Sequence, residues 1–475
     1  MIWSISWKNV WRNKLRSLVV IVAFFFGIFG GIYVVAVMIG MIDQRVKTAI
    51  GNEVSHIQIH HPGFLENNEL KYTIQNQAGF VDSLESLPEV VGVSSRIKIM
   101  GMANTSGNAS GIMITGIYPD KEKEVTDIAK IISDHAGTYL NGDDRKQIVI
   151  GEKLAKNLKL VYYQLNEEDF SAMKENKRLK KLSVLDTIKD IRFRTEQEFD
   201  LALEMLLGES QADKLEYWIK QEAIKYKLRK KIVISFQSYD GHLAYDAFRV
   251  AGVYKTSNTM FDGMNVFVHM DDIAEVASIP ANQVNEIAIM LSEVKFVDQT
   301  VETINSMRPT LSTQAWDEIR PDVGMVSEAL NFYLMIFMVI ILLALGFGIV
   351  NTMLMAVLER IKELGMLMAI GMNKKRVFSM IMLETVFLSL VGAVFGMFIT
   401  WLLVLYTGKT GLDMSAFYGE GFEVMGYSAK IYPKLGLGSF VQITVMVILT
   451  GIIASIYPAR KAMKLNPAEA LRIDM

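Results

Sequence analysis

The chain has 475 residues, with 49 Lys and Arg against 51 Asp and Glu, a formal net charge of −2, a hydrophobic fraction of 51% and no cysteine. The near-neutral balance gives no electrostatic reason to expect nucleic acid as a partner, and the lack of thiols excludes disulfides, thiol catalysis and cysteine metal sites. With 21% of the residues charged, apolar and charged stretches must be segregated, as in a membrane protein with a large soluble part.

Residues 1–17 carry Lys8, Arg12, Lys14 and Arg16 and no acid, which makes them a basic amphipathic leader. Residues 18–42 follow without a charge. A bilayer core about 30 Å thick takes about 20 apolar helical residues, so this run is a first transmembrane span. It is too long for the apolar core of a signal peptide and closes on no small-x-small cleavage site, so it reads as a retained anchor.

Residues 43–328 form a large domain. The stretches "SHIQIHH" (55–61), "GIMITGI" (111–117) and "KIVISF" (231–236) alternate as strands do, while 78–87 is helical ahead of Pro88. The mixture predicts an α+β fold. His56, His60 and His61 tempt a metal assignment. On a strand, however, His56 and His60 lie about 13 Å apart, and His60 and His61 face opposite ways. They are expected to be solvated strand residues, and no metal ligands are assigned. No Ser-His-Asp order or carboxylate pair appears, so no catalytic residues are assigned either.

Within that domain 161–231 stands out: 29 of the 68 residues from 164 to 231 are charged. Phe199, Leu203 and Leu206, then Leu215, Trp218, Ile219 and Tyr226, recur at helical spacing and predict a charged helical insertion. A tolerated surface addition and a partner-docking arm both fit it.

Three more apolar runs follow, at 329–358, 377–408 and 435–459, giving four spans in all. They are separated by a short polar segment at 359–376 and a loop at 409–434, and a tail at 460–475 closes the chain. The segment 359–376 carries five basic residues, the tail four, and the loop 409–434 three balanced by three acids. That asymmetry puts the leader, the 359–376 segment and both termini in the cytoplasm, with 43–328 on the far side. The one GK[ST] triplet, Gly408 to Thr410, has Leu403 where a phosphate loop needs glycine, so it is a chance match. Glu384 is the one acid within a span and, eight residues beyond Arg376, is placed at headgroup depth in a structural role. Gly392 and Gly396 form GxxxG in span three, and Gly451 with Ser455 repeats the small-residue pattern in span four.

The 359–376 segment is built as a short amphipathic helix. Ile361, Leu364, Leu367 and Met368 share one face, Glu359, Lys362 and Glu363 the other, and Gly371 with Asn373 supplies a stop. Periodicity alone fits a helix lying on the headgroups as well as one that binds a protein.

The stretch "NTMLMAVLERIKELGMLMAIGMNKKRVFSMIMLETVFLSLVGAVFG" (351–396) and the closing "YPARKAMKLNPAEALR" (457–472) resemble the permeases of the MacB/LolC/LolE/FtsX family of ABC transporters. The leader "WKNVWRNKLRS" (7–17) and the stretches "GIMITGIYP", "QIVIGEKLAKNLKL" and "FRVAGVYKTSNTMFDGMNVFV" resemble the family's leader and periplasmic core domain. The resemblance implies a four-span inner-membrane protein with a MacB-like periplasmic core, acting as a dimer with a second copy or a paralogue. It implies that 359–376 is a coupling helix, in which Glu359, Arg360, Glu363, Leu364 and Gly371 dock on a cytoplasmic ATPase dimer. ATP and Mg would be bound by that separate subunit, since this chain begins almost at the leader. Mechanotransmission follows from the resemblance. In its LolC/LolE branch a lipoprotein leaves the membrane between spans one and two, past Gly27, Gly30, Gly31, Gly346 and Gly348, for a periplasmic chaperone. A MacB-like exporter of peptides or toxins and an FtsX-like activator of a cell-wall hydrolase are the alternatives.

Overall fold

The computed structural model describes residues 2–12, 14–141, 145–175, 179, 183–415 and 421–464; the remainder of the tail, Arg472 included, lies outside them. The chain divides into two compact units. One comprises residues 1–43, 328–412 and 431–475, the other 44–327 and 413–430.

Among the described residues four helices are long and apolar enough to cross a membrane: Lys14–Thr48, Pro321–Glu359, Lys374–Thr410 and Leu437–Met463. Helices of 35 to 39 residues exceed a 30 Å core at 1.5 Å per residue by some 20 Å. The first three spans therefore continue as helices past the apolar runs that define them. The two small-residue patterns do packing work. A side chain at Gly392 would meet Phe24 Cβ at 2.6 Å, one at Gly396 would meet Ile28 Cβ at 3.1 Å, and one at Gly451 would meet the Phe24 ring at 2.4 Å. Fully buried Phe24 is thus nested between spans three and four, where only glycine leaves room.

The second unit is an α+β domain on one nine-stranded sheet. Its strands are β1 (Ile57–His60), β2 (Val90–Asn104), β3 (Ala109–Ile117), β4 (Gln147–Gly151), β5 (Val161–Tyr163) and β6 (Ile224–Tyr226). β7 (Lys231–Gln237), β8 (Leu243–Tyr254), β9 (Asn265–His269), β10 (Glu286–Leu291) and β11 (Ser312–Ala315) follow. β5 and β6 pair apart from the sheet, which runs β11-β1-β10-β2-β3-β9-β4-β8-β7, and β7 pairs back onto β2. Six strands therefore close into a barrel, with β10, β1 and β11 as an extension. The 15-residue β2 makes this possible by changing partner midway, from β10 over its first half to β7 from Gly101 onward. A Cβ at Gly101 would sit 2.7 Å from the Ser235 carbonyl oxygen, so the crossing requires glycine.

The strand histidines are buried, which corrects the expectation that they face solvent. His60 is 2% exposed and bonds Glu286 at 2.9 Å, and His56 accepts the Leu291 N–H at 3.1 Å. Burial lowers the His56 imidazole to about 4, so it is neutral. His61 caps the following helix by accepting the Gly63 N–H. β1 is an interior strand of the sheet, with β10 on one side and β11 on the other, and all four of its residues are buried, so both of its faces are covered. Among the described residues no metal-binding cluster of His, Asp and Glu occurs.

Glu286 belongs to a buried ionic network. Arg96 reaches Glu286 and Glu122 at 2.7 Å each, Lys98 reaches Glu286 at 2.7 Å, and Ser94 donates to Glu122. A second buried carboxylate, Glu53, accepts from Arg45 at 2.8 Å and Asn258 at 3.0 Å and pairs with Arg320. Arg45 follows span one and Arg320 precedes span two, so Glu53 ties together the two connections of the domain to the membrane helices.

Asp262 is a third buried carboxylate, 3% exposed, with Thr256 donating to both of its oxygens. Burial raises its carboxyl to about 7 against the pull of the Thr256 bonds. The folded domain therefore keeps this proton between about pH 4 and 7 where the unfolded chain releases it, and stability falls as pH rises through that window. Asp262→Asn, which can donate to Thr256 Oγ1 and accept its N–H, is expected to be near neutral at pH 4.5. At pH 8 it should stabilise by on the order of 2 to 4 kcal/mol. Melting curves of both proteins against pH check this, and parallel curves would reject it.

The insertion is helical as predicted, with α1 (Glu167–Glu175), α2 (Glu196–Leu207) and α3 (Glu209–Ala223). They close on a core of their own, Tyr163, Leu165, Phe199, Leu203 and Ile219. Tyr226 does not continue the helix. α3 ends at Ala223, and Tyr226 lies on β6 opposite Val161, its hydroxyl 2.8 Å from Glu152. The returning chain must pair with the outgoing one to rejoin the barrel, and that overrides the helical spacing.

Candidate functional site: the connection between spans two and three

The helix of span two breaks at Arg360, whose φ of −102° and ψ of 16° are not helical. A separate helix, Ile361–Ala369, follows; Gly371 at φ +100° reverses the chain, and Asn373 caps span three by accepting the Lys375 N–H. The αL conformation is one that glycine adopts without strain.

The charges form a chain of contacts. Arg360 Nη1 donates to both oxygens of Glu384, at 3.0 and 3.2 Å, and Arg360 Nε donates to Glu363 at 3.0 Å. Glu363 also pairs with Arg12 of the N-terminal helix. Burial raises the Glu363 carboxyl, but its bonds to Arg360 and Arg12 prevail and hold it below the usual range. The Arg12–Glu363 pair is largely exposed and adds little to stability. The Arg360–Glu384 pair is 16% and 11% exposed, and the one nitrogen Nη1 reaches both carboxylate oxygens, a charge-assisted contact in a mostly buried place. Beside it lies a cavity of roughly 40 Å³ walled by Val10, Val20, Met353, Ile381 and Leu388, about the room one water needs. The N-terminal helix is held further by Trp3 and Trp7, edge-on to Phe387 at 5.8 and 5.3 Å.

The structure separates the residues expected to dock together. Leu364, 2% exposed, packs in the core of the membrane unit, and Arg360 turns inward to Glu384. Neither presents its side chain to a partner. An acid inside a span needs a cation, and an arginine one helical break away supplies it. Glu359 and Gly371 are exposed, and Glu363 is half-buried. The outward ridge consists of Lys362, Met366 (53% exposed) and Ile370 (79%), four residues apart, with Lys374 and Lys375 beside it. Met366 and Ile370 were not singled out in the sequence, where the apolar face was drawn through Ile361, Leu364, Leu367 and Met368. Nor was the Glu384–Arg360 pairing, for which the lone acid in a span was the available signal.

The five glycines assigned to a lateral passage divide as well. A Cβ at Gly27 would be 2.8 Å from Leu345, Gly31 lies under Ile443 and Met338, and Gly346 faces Thr450. These three mark contacts between helices. Gly30 and Gly348 face open space.

Among the described residues the chain thus has four helices long and apolar enough to cross a membrane, a short helix joining the second and third, and a large α+β domain between the first two. Residues 335–467 match the FtsX-like permease C-terminal family. The chain is 24% identical over 232 residues to the macrolide export ATP-binding/permease protein MacB of Shewanella sp. strain W3-18-1, covering 47% of this chain and 33% of that one. It is 30% identical over 167 residues to MacB of Burkholderia cenocepacia, covering 35% and 22%. An uncharacterized ABC transporter permease of Methanocaldococcus jannaschii is 25% identical over 235 residues, covering 47% and 55%. The extracellular domain of the noncanonic ABC-type transporter YknZ aligns with 55% of this chain at a TM-score of 0.29 and 12% identity. The periplasmic region of MacB from Actinobacillus actinomycetemcomitans aligns with 58%, also at 0.29 and 12%. Residues 335–467 are thus an FtsX-like permease C-terminal domain, and about half of the chain is similar to ABC transporter permeases of the MacB type. The chain spans a fifth to a third of the MacB relatives it matches.

Proposed function

We propose that the chain is a force-transmitting permease subunit, lying in a bacterial inner membrane with both termini and the 361–369 helix in the cytoplasm. A separate ABC ATPase dimer, which binds the ATP and Mg, docks on the ridge of Lys362, Met366 and Ile370. The observation that carries this reading is the mostly buried Arg360–Glu384 bridge. It ties that helix rigidly to span three, and through Glu363 to the N-terminal helix, so a push on the ridge moves the membrane unit as a body. Glu53, joining the two connections of the large domain, keeps spans one and two in step on the far side. A second copy or a paralogue completes the transporter.

The cargo we propose is a membrane-anchored lipoprotein, passed to a periplasmic chaperone without crossing the bilayer. The names of the MacB relatives favour a second reading, export of a macrolide or peptide through an adaptor. Isolation from native membranes with ATP hydrolysis blocked separates the two. The first reading expects an ATPase together with acylated lipoproteins; an ATPase with an adaptor or a wall hydrolase and no lipoprotein overturns it. Ile370→Asp with Lys362→Glu is expected to remove the ATPase from the isolate, and retention would reject the ridge as its dock.

A further inference from the structure

At the root of the insertion, where β5 and β6 pair beside the barrel, positive charge is concentrated. Lys227 follows β6 and donates through Nζ to the Lys159 carbonyl oxygen at 2.8 Å. Burial, then the proximity of Arg192, Lys230 and Arg194, pushes its ammonium below the usual range. Arg249 on β8 bonds the Arg229 carbonyl at 3.2 Å and stands directly opposite Lys231 on β7. Like charges opposed across strands are destabilising. Among the described residues none of these eight cations makes an ion pair. That contrasts with Lys121, Lys146 and Lys220, each paired with an acid elsewhere in the domain. The surface is also shaped. The Arg192 guanidinium carbon lies 3.7 Å from the centroid of the Tyr162 ring, a contact that restrains the side chain while its charge remains. Leu228 and Ile191 are exposed among the charges.

We propose that this surface is a docking site for an acidic protein segment, one in which Asp or Glu residues flank an apolar side chain. Concentrated charge of one sign is kept at a cost in stability, and a partner of opposite sign recovers it while speeding encounter. The exposed Leu228 and Ile191 give such a segment an apolar anchor, which a bare polyanion has no use for. The site belongs to the insertion and does not depend on which cargo the transporter moves.

The test places a photo-crosslinking phenylalanine derivative at Leu228 in the full chain and irradiates native membranes. The expected adduct is a polypeptide joined through a stretch rich in Asp and Glu. That stretch, made as a labelled peptide, should bind the purified full-length protein with an affinity that falls steeply with salt. Arg192→Glu with Lys230→Glu should weaken it at least about tenfold, a change of ~1.4 kcal/mol, while Arg192→Lys with Lys230→Arg retains binding. An unchanged melting temperature certifies the fold of the reversed variant. Adducts to lipid or to a sugar polymer, no adduct, or binding indifferent to charge reversal overturns the proposal.

Discussion

Under the force-transmitting function proposed above, Glu384→Gln is expected to uncouple cargo movement from ATP hydrolysis while leaving the partner ATPase attached. The glutamine keeps the shape of the side chain but leaves the Arg360 guanidinium, 16% exposed and walled by apolar residues, with Glu363 as its remaining counter-charge. Removing one partner of a buried pair costs about 3–5 kcal/mol, and this pair, partly open, is expected at the lower end. The loss falls on the joint between the 361–369 helix and span three. ATP hydrolysis by the docked subunit should therefore continue while cargo movement drops by roughly tenfold or more. The double reversal Arg360→Glu with Glu384→Arg restores opposite charges and should regain a large part of the activity. Paired assays of ATP turnover and cargo release check both halves. Wild-type coupling in Glu384→Gln would show that the bridge transmits nothing.

The second large effect lies in the α+β domain. Arg96→Ala should destabilise it by about 3–5 kcal/mol, because Glu122 and Glu286, both fully buried, lose the one cation they share. Burial raises the Glu286 carboxyl, and Lys98, His60 and Arg96 together bring it well below its ordinary range. Without Arg96, Lys98 and His60 still serve Glu286, while Glu122 keeps only hydroxyl donors from Ser94 and Thr126. Glu122→Gln in the Arg96→Ala background should consequently recover more stability than Glu286→Gln. Thermal unfolding of the four proteins orders them, and equal recovery would place the critical charge wrongly.

What was legible in the sequence follows from local physics. Twenty or more apolar residues without charge have only one stable environment, so the four spans could be read directly. Residues at helical spacing amid polar sequence gave the insertion and the 361–369 helix, while Gly371 and Asn373 marked where the latter stops. The small-residue patterns in spans three and four were read as packing sites, and Phe24 fills them. Each of these depends on residues within a few turns of one another.

The misreadings share a cause: each turned on a partner far away in sequence. His60 looked like a solvated strand residue because nothing near it announces Glu286, 226 positions on. The inward pairing of Arg360 was not legible because its acid Glu384 lies 24 residues away, about three turns into a different helix. Tyr226 fits a helix by spacing, yet the chain had to return beside Val161. The closure of the barrel is of the same kind, since β2 serves two partners and only the assembled sheet shows where Gly101 lets it change. The sequence by itself therefore determined the class of protein, its spans and its local helices, because hydrophobic length and periodicity act over short distances. The tertiary structure alone decided which charges face inward, because burying an ion is tolerable only when folding delivers its counter-ion.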